Sequence, residues 1–348
     1  MERTPDHCAR IRRTAPDAAR RRLAGRLFAG AWIAAAALTA AAPSAAADFP
    51  SRPVRIIVPF TPGTPGEIWM RAAAQRLQVM WGQPIIIENR PGAGGLVGAE
   101  AVARSTPDGH TLLFGSPSTA MGKLTSASIK FDPQEVLVPV RKVMNYKIVL
   151  VTNAEMRSKA KDIQEFIALS KVRPGGMFFG STGTGSTVGV AGAISSRGLG
   201  ISYTAVDYAG LAQYLVALQR DEVQYALYPT TAIKQFIDNG QLHPLVVLSD
   251  ERYAELPAVP TIREAGYKGF LPGSWTGVFA PRGTPQAVID KLSRDMQTVA
   301  FAPDFRPTIE AQIGGLTPQS DPQIFARELE VETKNLKEFF DAIGFKPQ

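Results

Sequence analysis

The chain of 348 residues is poor in the groups that most catalytic and metal sites draw on. It has one cysteine, Cys8, and three histidines, His7, His110 and His243. A zinc site built from thiolates and imidazoles has too few ligands, and one cysteine closes no disulfide within the chain. No G-x-S-x-G elbow is present, so serine nucleophile chemistry of the α/β-hydrolase type lacks its turn. The glycine loops miss the nucleotide fingerprints. Read from Gly92, G-x-G-x-x-G places its last glycine at Val97; read from Gly183, at Val188. Gly122-Lys123 is followed by Leu124 and lacks the earlier glycine of a P-loop. His110 and His243 each stand beside a turn at a strand start and read as structural residues. Glu67 and Glu88 could form an acid–base pair, but a glutamate in a first helical turn is the ordinary complement to the helix dipole. No catalytic residue, no metal and no cofactor are expected.

Excess charge is also missing where it would matter. The formal net charge is +7. Residues 1–47 hold eight arginines against Glu2, Asp6 and Asp17, a net of +5, which leaves +2 for the rest. Nucleic acid is therefore not expected as a partner. The basic segment has a secretory layout: arginines to Arg26, an apolar run Leu27–Ala42, and small residues Pro43–Ala47. A signal peptide over 1–47, cleaved near Ala47, predicts export. A membrane anchor is the alternative, but the run is alanine-rich and near the lower length limit for a span.

What remains, after Asp48, alternates β-rich runs with helical stretches. "VRIIVPF" reads as a strand, and Ile68–Met80 as a helix. "PIIIEN" (Pro84–Asn89), His110–Ser116, Tyr146–Asn153, Ile201–Gly210, Glu222–Pro229, Leu242–Ser249 and Ser274–Pro281 read as further strands. Helices are expected at Ile163–Lys171 behind an Asp162 cap, at Thr284–Val299 with proline in first position, and at Pro322–Ile343. This alternation predicts α/β architecture with mainly parallel sheets flanked by helices. Ligands in such sheets sit beyond the carboxyl ends of the strands. Four loops fall there: Thr61–Gly66, Arg90–Gly95, Ser116–Ala120 and Ser181–Thr187. They offer hydroxyls (Thr61, Thr64, Ser116, Ser118, Thr119, Ser181, Thr182, Thr184, Ser186, Thr187) and backbone amides, with few charges. Such groups hold a carboxylate through neutral hydrogen bonds and do little acid–base work at neutral pH. Capture and release fits them better than turnover.

The stretches "FPSRPVRIIVPFTPG", "GQPIIIENRPGAGGLVGAEAVARSTPDGHTLLFGS", "GSTGTGSTVGVAG", "LPAVPTIREAGYKGF" and "SWTGVFAPRGTPQAVIDKL" closely resemble the Bug family, the TctC-like solute-binding proteins of tripartite tricarboxylate transporters. The resemblance runs from about Phe49 to the C-terminus. It implies a two-domain periplasmic binding protein of type II, closing like a Venus flytrap. Domain I would be 48–149 with 250–348, and domain II 150–249. It further implies a periplasmic, monomeric protein that captures a small carboxylate for a membrane permease; a sensor feeding a signalling receptor, or a secreted hydrolase, are the alternatives. The implied site comprises Phe60, Thr61, Pro62, Gly63, Thr64 and Gly66 of the first loop, with Ser116, Pro117 and Ser118. The second domain would add Ser181, Thr182, Thr184, Gly185 and Ser186, then Tyr208, Ala209 and Tyr228.

The sequence departs from the family where the far end of the ligand should lie. The first loop reads Thr64-Pro65-Gly66-Glu67 instead of ending GGTD. Asp207-Tyr208-Ala209-Gly210 lacks the lysine of the usual PYKG turn, and Tyr228 replaces an aspartate. These changes predict an aromatic or partly apolar carboxylate, stacked near Tyr208 and Tyr228.

Overall fold

The computed structural model describes residues 49–183, 185–313 and 315–347. The predicted signal peptide, 1–47, and the predicted site residue Thr184 lie outside the described residues. The chain lays down β1 (Val54–Val58), β2 (Ile85–Asn89), β3 (Thr111–Gly115) and β4 (Leu137–Tyr146) in one sheet. It builds a second from β5 (Ile148–Asn153), β6 (Met177–Ser181), β7 (Tyr203–Asp207), β8 (Tyr225–Pro229) and β9 (Leu242–Val247). It then returns to the first for β10 (Trp275–Pro281) and β11 (Gly315–Leu316). The orders are β11-β4-β10-β3-β1-β2 and β7-β6-β8-β5-β9. Two passages thus join the sheets, one at Lys147 and one between Val247 and Trp275.

The sheets are more mixed than the alternation predicts. β1 runs parallel to β2 and β3, and β6 parallel to β7 and β8. β10 runs antiparallel to β3 and β4, and β5 antiparallel to β8 and β9. Both reversals lie where the chain enters a sheet from the other one rather than through a crossover helix. β4 itself escapes the sequence reading. Arg141 and Lys142 interrupt its apolar pattern, yet both are buried. The helices Thr230–Asp238 and Arg306–Ile313 were not predicted either. The helix expected from Thr284 starts at Gln286, with Pro285 as its cap, because Thr284 spends its hydroxyl on the Pro281 carbonyl (2.8 Å).

Each sheet is packed on both faces. One face of the first buries Trp69, Met70 and Leu77 of the helix Pro65–Trp81, with Trp69 stacked on Phe114 of β3 at 6.0 Å between centroids. The other face packs Phe279 of β10 on Phe325 of the helix Pro322–Ile343. Each such fully buried side chain contributes about 1.5–3 kcal/mol. Asp162 caps the helix Ile163–Val172 by accepting from Gln164 and Glu165 amides, as its position predicts. His110 accepts the Ser51 amide at Nε2 (3.2 Å), and His243 contacts the Lys161 carbonyl (3.0 Å), so both histidines serve the scaffold. Among the described residues no helix is long and apolar enough to cross a membrane, and no cluster of His, Cys, Asp and Glu could hold a metal ion.

Candidate ligand cleft

A cleft of about 970 Å³ opens between loops of the two sheets. On the first sheet its wall begins where β1 ends. Pro65 opens the following helix, so the first backbone donors there are Gly66 and Glu67, whose amides have no intrahelical acceptor. They carry the positive end of the helix dipole to the cleft. Gly66 can only be glycine without displacement: a β-carbon would stand 3.0 Å from the Tyr146 hydroxyl and 3.2 Å from Thr276 Cγ2.

A buried network holds this loop. Glu67 is 3 % exposed. It accepts the Gly63 amide at 3.2 Å and pairs with Arg71. Arg71 donates to Asn89 Oδ1 (2.9 Å), and Asn89 donates to the Phe60 carbonyl (3.0 Å). Glu67 therefore serves the loop as a structural anchor, and Glu88 is turned to Arg55 and Arg90. The two glutamates do not face each other as an acid–base pair. Beside them, Tyr146 and Thr276 share a hydroxyl hydrogen bond at 3.0 Å, and burial pushes the Tyr146 phenol up, so it stays a neutral donor.

The neighbouring loops interlock. Gly94 presents its carbonyl to the hydroxyls of Ser118 (3.0 Å) and Thr119 (3.3 Å), and Ser116 meets Ser118 at 3.0 Å. Gly95, at φ +97°, has no room for a β-carbon, which would fall 2.3 Å from Thr119 Oγ1. From the second sheet, Ser186 caps the helix Thr187–Leu199, accepting the Gly189 amide (3.0 Å) and donating to the Gly183 carbonyl (2.7 Å). Thr182 donates to Ser186 at 3.0 Å. The loops of the two sheets come close at one edge, where a methyl on Gly94 would be 3.7 Å from the Gly185 carbonyl.

The structure places Phe60, Thr61, Thr64, Gly66, Ser116, Ser118, Thr182, Ser186 and Ala209 on the cleft wall. Pro62 and Gly63 sit at the exposed tip of the first loop. Pro117 is buried, and Gly185 faces Thr125. Ser181 is fully buried and accepts the Gly183 amide (3.0 Å), so it shapes the turn from behind. The tyrosines do not form the expected stacking platform. Tyr228 is 2 % exposed and donates to the Leu211 carbonyl at 3.0 Å. Tyr214 lies 4.6 Å from it, and Tyr208 packs on Tyr214 at 6.4 Å. An aromatic in the middle of β8 packs under the helix Leu211–Gln219 instead of reaching the cleft. Tyr228→Phe should consequently cost about 1 kcal/mol of stability, the net worth of one buried hydrogen bond. It should leave ligand affinity unchanged within about twofold; urea unfolding and calorimetric titration check the pair of outcomes.

Several wall residues escaped the sequence reading. They include Lys142, Asn145, Tyr146, Phe270 to Thr276, and Arg327, Glu328 and Glu332 of the C-terminal helix, while Pro91 to Gly95 fall in the expected loop Arg90–Gly95 without having been singled out as site residues. The missed residues come from β4, from the second passage and the start of β10, and from a helix read only for its apolar stripe.

Two α/β lobes joined by two passages, with a cleft lined by loop backbone and hydroxyls between them, define a solute-binding receptor of the periplasmic binding protein type. The chain belongs to the tripartite tricarboxylate transporter receptor family (TctC), whose model matches residues 69–344. It is 36% identical over 248 residues to the protein BugT of Bordetella pertussis, covering 71% of this chain and 76% of that one. The periplasmic binding protein BugD superposes with a TM-score of 0.76 at 27% identity, over 86% of this chain and 100% of BugD. Rpa4515 from R. palustris, solved with adipate, gives 0.78 at 29% identity, over 86% and 100%. MatC from Rhodopseudomonas palustris, with bound malate, gives 0.74 at 30% identity, over 83% and 99%.

Proposed function

We propose that this receptor captures a small organic carboxylate in the cleft, in the periplasm, and hands it to the permease of a tripartite tricarboxylate transporter. The observation that carries this reading is a helix N-terminus with free first-turn amides, Gly66 on the cleft wall, beside a wall of hydroxyls. That set satisfies a carboxylate through neutral donors. Malate and adipate in the neighbouring structures support the chemical class. We take the lobes as 48–149 with 250–348, and 150–249, and the working form as a monomer without enzymatic turnover.

The body of the ligand is partly apolar in this reading. Beside the amides the wall carries Phe60 and Pro65, and the second sheet adds Val188, Leu211 and Leu227. The cations on the wall are Lys142 and Arg327, and Lys142 is already paired with Glu328. A second ligand carboxylate at the apolar end would lose its water without gaining a partner. An aromatic body would lie against Phe60 rather than on Tyr208 and Tyr228. A thermal-shift panel tests this. Hexanoate and phenylacetate should raise Tm by about 5–10 °C at a hundredfold excess over Kd, and citrate and aspartate should raise it far less. Shifts with citrate or aspartate and none with the monoacids would overturn the apolar assignment. No shift with any carboxylate would overturn the class.

A further inference from the structure

The C-terminal helix Pro322–Ile343 carries Glu328 and Glu332 one turn apart on one face. Glu328 reaches β4 inside the first sheet, and Glu332 reaches the end of the second passage. Glu328 Oε2 lies 2.6 Å from Nζ of Lys142 in β4, the strand that leads out of the first sheet. Glu332 accepts hydrogen bonds from the Gly273 amide (2.7 Å) and the Trp275 indole Nε1 (2.8 Å), where the chain comes back into β10. All five residues line the cleft. Packing does not call for these polar contacts, because Phe325 of the same helix already docks on Trp275 at 5.2 Å and on Phe279 at 5.1 Å.

We infer that Glu332 is a positioning residue for solute capture, clasping the end of the second passage to the C-terminal helix and so limiting the orientations the two lobes can take, while Glu328 fixes the same helix to β4. The inference rests on reading the cleft as the solute site. Lobes of binding proteins close about their connecting segments. Fixing those segments raises the fraction of molecules competent to bind, and with it the apparent affinity.

Protonation tunes the clasp. Burial pushes the Glu332 carboxyl above the ordinary glutamate value; Glu328 adds to the rise, while the Trp275 and Gly273 donors and the Lys142 ammonium oppose it. Arg327 and Asp250 are the other charged groups on the same wall. A protonated carboxyl cannot accept from both N–H groups equally well, so acid loosens the clasp. The stability term has its own sign. A raised carboxyl contributes stability below its unfolded value of 4.5 and loses it as pH rises through the folded value. Glu332→Gln should abolish that loss.

The test uses the unliganded chain first. Trp275 emission, isolated by difference against Trp275→Phe, and small-angle scattering are followed between about pH 5 and pH 8. In the unsubstituted protein both should change with pH, and in Glu332→Gln both should be flat. Hexanoate then serves as the binding probe near neutral pH. Glu332→Ala should weaken it by about tenfold, the worth of one charge-assisted hydrogen bond, and Glu332→Gln by less. A Glu332→Gln protein that keeps the full pH profile would overturn the clasp. So would a Glu332→Ala protein whose Tm falls while emission, scattering and hexanoate affinity stay put. Failure of the unsubstituted protein to bind hexanoate counts against the ligand reading alone, since the unliganded measurements decide the clasp by themselves.

Discussion

Glu67→Ala should lower ligand affinity by about 100-fold, the loss of two aligned hydrogen bonds to a charged group. Glu67 contacts the loop and not the cleft. Its carboxylate holds the Gly63 amide and Arg71, and Arg71 fixes Asn89 under the Phe60 carbonyl. Without it, the Gly63 amide and Arg71 lose their shared anchor, and the loop that aims the first-turn amides is held to β2 only by the Asn89 bond to Phe60. The stability cost should be smaller, about 1–2 kcal/mol, because the Arg71 side chain is half-exposed and water replaces its partner. Glu67→Gln keeps the volume and one acceptor and should fall between. Calorimetric titration beside urea unfolding separates the two effects. Unchanged affinity in Glu67→Ala would show that the loop does not depend on this network.

Gly189→Ala should damage the opposite jaw. A β-carbon there would sit 2.1 Å from the Gly183 carbonyl oxygen and 3.1 Å from Ser181 Oγ. Backbone cannot give way like a flexible side-chain end, so the loop carrying Thr182 and Ser186 must move. We expect a loss of about 1–3 kcal/mol of stability, typical of overpacking, and affinity reduced by at least about tenfold. Gly210→Ala is the control. Gly210 is extended (φ −175°) with open space where a β-carbon would point. Its Tm should stay within about 1 °C of the unsubstituted chain. Equal behaviour of the two variants would remove the packing argument for this loop.

The contrast between Glu67 and Tyr228 shows how far the sequence reaches. Strand–glycine-loop–helix units announce themselves through local chemistry: a buried run, residues that permit tight turns, then a cap. The first loop, the Ser116 loop and the Ser181–Thr187 loop are legible for that reason. β4 is not, because its Arg141 and Lys142 are buried by contacts from distant parts of the chain. Arg141 Nη1 contacts Ser293, 152 residues away. Tyr228 fails for a different reason. A residue type in a strand does not state which face it takes, and β8 turns this ring beneath the helix Leu211–Gln219. The rear of the cleft depends on the same long-range placement. The apolar stripe of the C-terminal helix is plain in the sequence, but that its charged side meets β4 through Glu328 and the end of the second passage through Glu332 follows only from how those segments cross it.

The central claim is that amides and hydroxyls at the first loop bind a carboxylate as such. A matched pair of ligands tests it most directly: phenylacetate and phenylacetamide, titrated by calorimetry into the same protein. The two share a ring and differ in the group presented to Gly66 and Glu67. The account predicts one phenylacetate bound per chain and the amide weaker by at least about tenfold, since charge-assisted hydrogen bonds are roughly twice as strong as neutral ones. Equal affinity for the acid and the amide would contradict it.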